Sequence, residues 1–230
     1  MDYLGICQKV ARESGTISGV APTSVLAQTG RLLKVVAFVN DAWQQIQNQR
    51  AQWRWMQGEF SAAATIGTAR YTATVWAITS FGEWITDTPE YSPVTLYDPA
   101  IGVADEGPLR AITYDQWASL YNRGAQENNR PIRYAISPAN EFCLGPIPDK
   151  GYVVKGRYRK TNQVLAANTD IPNMPVRFHD LIVYRALQLL GGHDVAPGEL
   201  SDAVSKALPL MQQLERDQLP TMRMAGGPLA

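Results

Sequence analysis

Residues 174–190 read MPVRFHDLIVYRALQLL. Pro175 suits the first turn of a helix, where its missing N–H loses nothing. Beyond it, Phe178, Leu181, Ile182 and Leu189 recur at 3.6-residue spacing, flanked by Ala186, and so predict one apolar helix face. That face is too apolar to stay in water and needs helical partners. Downstream, 199–215 offers Leu200, Ala203, Val204, Ala207, Leu208, Met211 and Leu214. Far upstream, 30–47 offers Leu32, Val35, Val36, Val39, Trp43 and Ile46. Between them the chain is mostly β in character. The predicted class is therefore α+β, with a helical bundle built from both ends of the chain, 1–56 and 172–217. An inserted β-rich, sandwich-like domain fills 57–171 with a short helix near 113–122, and an extended tail covers 218–230.

Local signals set the expected boundaries. Asp2 caps a first helix running to about Arg12, with Tyr3, Cys7 and Val10 on one side. SGTISGVAPTSV, 14–25, is a loop by its glycines and proline, and Thr29 is the N-cap of the second helix. In QWRWM, Trp53 and Trp55 bracket Arg54, an alternation that predicts a strand and a change of period between Arg50 and Trp53. Phe60, Ile66, Tyr71, Val75, Trp76, Ile78, Phe81, Trp84 and Ile85 then recur among Thr, Ser and Gly, as in short strands and hairpins. A strand is expected over 91–97, and others over 132–136, 141–144 and 152–159. Thr113 caps the short helix, whose stripe is Tyr114, Trp117, Leu120 and Tyr121. Gly191-Gly192 is expected to end the helix after residue 190. Pro209, inside the last helical pattern, is expected to kink its outer face.

Composition narrows the function classes. The chain has 230 residues, enough for one large domain or a helical core with a subdomain, and is 45% hydrophobic. Its 21 basic and 21 acidic residues cancel, so no electrostatic footprint for sequence-independent nucleic-acid binding is present. Neither a secretory pattern nor an apolar run long enough for a bilayer occurs, which predicts a cytoplasmic origin. Cys7 and Cys143 fit no metal or redox spacing and are expected to be reduced, partly buried thiols.

Candidate chemistry is sparse. The two histidines occur as His179-Asp180 and His193-Asp194, but neighbours on a helix point apart, and their spacing matches no zinc signature. Both are read as structural or surface histidines, and no nucleophile elbow, phosphate loop or metalloprotease motif is present. The expectation is a protein without catalytic centre, metal or cofactor. Trp76, Phe81 and Trp84 suit either a stacking platform for glycan or base, or the core of a sandwich; the core is the preferred reading. Lys155, Arg157 and Arg159 alternate along a strand and share a face, followed by Lys160. That stripe suits phosphate or an acidic partner as well as a solvated outer face. Arg185 falls in the middle of the apolar helix face, so it is expected either in a buried ion pair (or against a carbonyl) or at a subunit boundary. Leu219, Met222, Met224 and Leu229 are apolar residues on a tail too short to bury them.

Three stretches carry a resemblance. They are MDYLGICQKVARESGTISG (1–19) with TGRLLKVVAFVNDAWQQIQNQRAQWRWMQGEF (29–60); FCLGPIPDKGYVVKGRYRK (142–160); and LAANTDIPNMPVRFHDLIVYRAL (165–187) with ERDQLP (215–220). Together they resemble the adaptor, or head-to-tail connector, proteins of tailed bacteriophages over nearly the whole chain. The wording is structural rather than catalytic, and its specificity lies in the number of matches in order. The resemblance implies a homo-oligomeric, usually twelve-fold ring below the portal protein and above a downstream tail or nozzle protein. Such a ring belongs to the head–tail interface of a virion assembled in the host cytoplasm. DNA would pass through its channel without sequence-specific binding, and no membrane is involved. It also implies an uninterrupted last helix, from which Pro209 departs. The tail residues Leu219, Met222, Met224 and Leu229 become candidate portal contacts, by strand or hook addition to a neighbour, and Lys155, Arg157 and Arg159 become a candidate stripe facing the lumen, the tail or another partner. The alternative is a binding module using the aromatic β domain for glycan or nucleic acid.

Overall fold

The computed structural model describes residues 1–86 and 92–220. Helices α1 (Tyr3–Glu13) and α2 (Gly30–Gln49) come first. Strands β1 (Gln57–Ala64), β2 (Arg70–Tyr71), β3 (Phe81–Trp84), β4 (Thr95–Tyr97), β5 (Gly107–Pro108) and β6 (Arg110–Ala111) follow. Next come α3 (Tyr114–Tyr121), β7 (Arg133–Ile136), β8 (Phe142–Gly145) and β9 (Tyr152–Lys160). Helices α4 (His179–His193) and α5 (Pro197–Gln218) complete the order, which is the expected α+β arrangement. The chain forms two compact units: Met1–Met56 with the chain from Asn162 onward, and Gln57–Thr161.

In the helical unit, α4 is the centre. Phe178, Leu181, Ile182, Val183, Ala186 and Leu190 are buried against Ile6 and Val10 of α1, Val39, Trp43 and Ile46 of α2, and Ala207 and Leu214 of α5. Leu189, expected on the buried face, is only half-buried, because the contact face turns toward Val183 and Leu190. The Asp2 carboxylate accepts from Gly5 N–H at 2.9 Å and caps α1 as expected. Thr29 has the extended backbone of an N-cap, but its side chain makes no capping bond.

The second chain crossing lies at Asn162 rather than at 172, because the polar connector is tied to the helices. Asn40 of α2 binds both backbone groups of Leu165, and Gln47 binds both backbone groups of Gln163. Asp170 and Asn168 carbonyls take the Tyr3 and Leu4 N–H groups, two of the donors that the first turn of α1 leaves open.

Two local expectations are corrected. QWRWM is not a strand: Arg54–Met56 is a 3-10 turn. Trp53 is fully buried and its indole N–H donates to Ile46 at 3.0 Å, while Trp55 stacks on it at 4.5 Å. Gly191-Gly192 does not end α4. The helix runs to His193, and Val195, at φ 53°, makes the left-handed exit, with Ala196 N–H bonding back to Gly191. Gly191 lies within the helix against Leu200, whose backbone nitrogen would be 3.4 Å from a Cβ there. Helix α5 is continuous through Pro209, whose ring lies on the exposed face. The carbonyl it leaves unbonded belongs to exposed Ser205, where water can reach it.

The β unit is two sheets around one core. β9 is the spine of the first: β1 pairs along it from Gln57↔Arg159 to Ala64↔Tyr152, and β3 and β4 share its other edge. The second sheet has the order β2-β8-β7-β6, with β6 and β7 parallel. Phe60, Tyr158 and Val154 from the first meet Tyr71, Tyr134, Phe142 and Leu144 from the second. Thr113 and Gln116 form a capping box on α3, which lays Trp117 over the outer face of the second sheet. Ile66 and Val75, expected among the strands, lie in turns and are exposed. Of the strand expected over 91–97, Tyr91 falls outside the described residues and the strand itself is β4.

Candidate interaction surfaces

The titratable groups that sequence singled out are committed to structure. His179, at the start of α4, is fully buried. Its Nε2 lies 3.1 Å from the Met174 carbonyl, and its Nδ1 lies 2.9 Å from the Met1 nitrogen and from the Met1 carbonyl. Burial holds its pKa below the ordinary histidine value. Asp180 points elsewhere, to Lys9 at 2.8 Å. The second pair departs from expectation: Asp194 is the C-cap of α4, not a helical neighbour, so its carboxylate reaches His193 Nδ1 at 3.0 Å. Arg31 also binds Asp194, at 2.5 Å, and together with His193 keeps that carboxyl ionised below the usual range. The thiols of Cys7 and Cys143 are free and buried, and burial pushes them up to about 12 and about 11. Among the described residues, no three His, Cys, Asp or Glu side chains gather to hold a metal ion.

The aromatic platform is core. Trp76 and Trp84 are buried, and their indole N–H groups donate to the carbonyls of Ala63 and Asn140. Phe60 stacks on Trp76 at 5.4 Å, Tyr71 on Trp76 at 4.8 Å, and Phe81 tilts against Trp84 at 4.4 Å. Trp76 and Trp84 thus offer no open face to a base or sugar ring among the described residues, while Phe81 is half-buried.

The β9 stripe is where its alternation put it. Lys155, Arg157 and Arg159 lie opposite the buried Val154, Gly156 and Tyr158. Two of its cations are already paired: Lys155 with Glu106 at 2.9 Å and Arg159 with Glu83 at 2.5 Å. Lys155 and Thr95 hold the Glu106 carboxyl below its ordinary pKa. Arg157 alone makes no ion pair among the described residues, so the stripe carries little free positive charge for phosphate.

Arg185 is half-buried at the edge of the apolar face, not within it. Its Nε donates to Gln45 Oε1 at 3.2 Å and its Nη1 to Gln188 Oε1 at 2.8 Å. No ion pair involves it among the described residues; of its two expected settings, a buried ion pair or a subunit boundary, the first finds two neutral amides in place of a carboxylate and the second stays open. Leu219 caps the end of α5, donating its N–H to Glu215, and packs against the helical core. Met222, Met224 and Leu229 lie outside the described residues.

A family model, described as SU10 adaptor protein, matches residues 1–228. The chain belongs to the SU10 adaptor protein family. It is thus a bacteriophage adaptor, a structural component of the virion that associates with other head–tail proteins. No curated protein matches it. Among the described residues, no helix of the adaptor is long and apolar enough to cross a membrane.

One surface of the adaptor escaped the sequence reading. Val204 and Leu208 were assigned to the buried side of α5, yet they are exposed, and Ala203, Ala207 and Leu214 are its buried residues. The signal was the width of the apolar arc. Small Ala203 and Ala207 already fill the α4 contact, and Val204 and Leu208 add a second stripe that one neighbouring helix cannot cover.

Proposed function

We propose that the protein is the subunit of an adaptor ring, twelve-fold by resemblance, that docks beneath the portal and receives the tail. The observation that carries this reading is the family match over residues 1–228. The surface chemistry supports it. A channel that lets DNA slide must not hold phosphates by releasing their counterions, and this chain has zero net charge and a largely neutralised basic stripe. A ring subunit needs contact surfaces rather than a catalytic centre or cofactor. Leu219, Met222, Met224 and Leu229 are the proposed portal contacts, and a nozzle or tail protein is the proposed lower partner.

The test is to mix the purified protein with its cognate portal ring and image the product by electron microscopy. A second ring stacked coaxially on the portal is expected. A subunit truncated after Gln218 should keep its helical circular dichroism and fail to join. Free portal beside free wild-type monomer overturns the connector reading; unimpaired joining by the truncated subunit overturns the role given to the tail.

A further inference from the structure

Helix α5 has two flanks beside the face that packs on α4. On the α2 side, Val204 and Leu208 are 46% and 58% exposed. Met211 is half-buried on the same flank, and Glu215 reaches Arg50 of α2 at 2.8 Å. Arg185 belongs to this side too, since its partner Gln188 donates to the Ala203 carbonyl and its other partner is Gln45 of α2. Three other arginines of this unit hold carboxylates, Arg31 with Asp194, Arg50 with Glu215 and Arg177 with Asp217, while Arg12, Arg54 and Arg216 make no ion pair among the described residues. Arg185 has only amides. It is a half-buried guanidinium beside an apolar strip.

The opposite flank is acidic. Glu199 and Asp202 line a recess of about 250 Å³ with Glu13 of α1 and Tyr184 of α4. Glu199 meets no cation among the described residues, and Lys9 comes only to 3.9 Å from Glu13. Lys206 takes Asp202 at 2.7 Å. Glu199 and Val204 are five residues apart, which at 3.6 residues per turn separates them by roughly 140°. The two flanks therefore face different ways on one helix.

We propose that they meet between copies of this chain, the Arg185–Val204–Leu208 flank of one subunit against the Glu13–Glu199–Asp202 flank of the next. This rests on the ring reading and supplies its side contacts. The occupant is a second copy because each subunit carries both complements. The contact gives Arg185 the carboxylate it lacks and takes the apolar strip out of water. It is also head-to-tail by its chemistry. A two-fold contact made by this flank alone would set like patch against like and leave the acidic flank outside it, whereas unlike patches on different sides of the subunit repeat and close into a ring.

Arg185→Glu, Leu208→Asp and the charge exchange Arg185→Glu with Glu199→Arg and Asp202→Arg test this on cognate portal rings, scored by electron microscopy and light scattering. Each of the first two should raise the protein concentration for half-assembly at least about tenfold with unchanged circular dichroism, as loss of a buried charge pair or apolar anchor does. The charge exchange should restore assembly. Leu208→Asp keeps the test sound if Arg185→Glu unfolds, because Leu208 is more than half exposed and belongs to no core cluster. Wild-type rings together with undiminished Leu208→Asp rings overturn these faces while leaving the connector intact. Failure of the charge exchange to restore assembly overturns the pairing of flanks, and absence of wild-type rings overturns both readings.

Discussion

His179 has two ring nitrogens, and the fold uses both. Nε2 faces the Met174 carbonyl, and Nδ1 faces both the nitrogen and the carbonyl of Met1. The residue thereby ties the beginning of α4 to the segment that precedes α1. Because burial depresses the folded pKa below the ordinary 6.5, the unfolded chain binds a proton that the folded chain refuses. Stability from the neutral ring is thus fully present above pH 6.5 and is lost as pH falls through the folded value. The urea midpoint should decline between pH 7 and 5.5 in the wild type. His179→Gln should start lower, by about 1–3 kcal/mol for the lost bonds, and decline less over the same range. Parallel declines in the two proteins would mean that His179 does not carry the effect. The sequence left this histidine as structural or surface, since its partners are 178 and five residues away, and only the five-residue one was within reach of local pattern.

At the scale of elements, legibility followed the range of the deciding interaction. The capping of α1 by Asp2 and of α3 by Thr113 was readable, because donor and acceptor lie within three residues. The end of α4 was not. A glycine pair reads as a stop, but Gly191 lies within the helix against Leu200, a tertiary contact, and the left-handed turn falls on Val195 instead. QWRWM misled for the same reason: burial of Trp53 against Ile46 overrode the alternation. Between β1 and β9, register decides. Phe60 faces Gly156 and Gly58 faces Tyr158, so each ring lies over the glycine opposite. A Cβ on Gly156 would stand 2.7 Å from the Phe60 ring, itself held by Trp76, Trp84 and Phe142. Gly156→Ala should therefore destabilise the β unit by about 1–3 kcal/mol, as overpacking of a filled core does. Thermal unfolding followed by tryptophan fluorescence measures this, and an unchanged midpoint would show that Phe60 has room to move.

For the whole molecule, the helix pattern foresaw helical ends around a β insertion, while the second crossing point was hidden in the hydrogen bonds of a polar connector. Those bonds have a further consequence. The β unit enters through Gln57 and leaves just after Arg159, and these residues are direct partners across β1 and β9. Chain entry and exit are therefore about 5 Å apart, the Cα spacing of an antiparallel pair. Each unit also has its own buried core, Trp43 with Ile182 in one and Phe142 with Trp76 in the other. Insertion at such a neck leaves the host needing only a short bridge, since closing a small gap costs little chain entropy. A polypeptide of residues 57–161 should accordingly fold alone, with near-UV circular dichroism from its packed tryptophans and one cooperative thermal transition. Residues 1–56 joined to 162–220 through a few Gly and Ser residues should give a cooperative helical unit, because Asn40, Gln44 and Gln47 still find Leu165 and Gln163. Should either piece lack a cooperative transition, the two cores depend on each other, and each unit's stability would have to be sought in the intact chain.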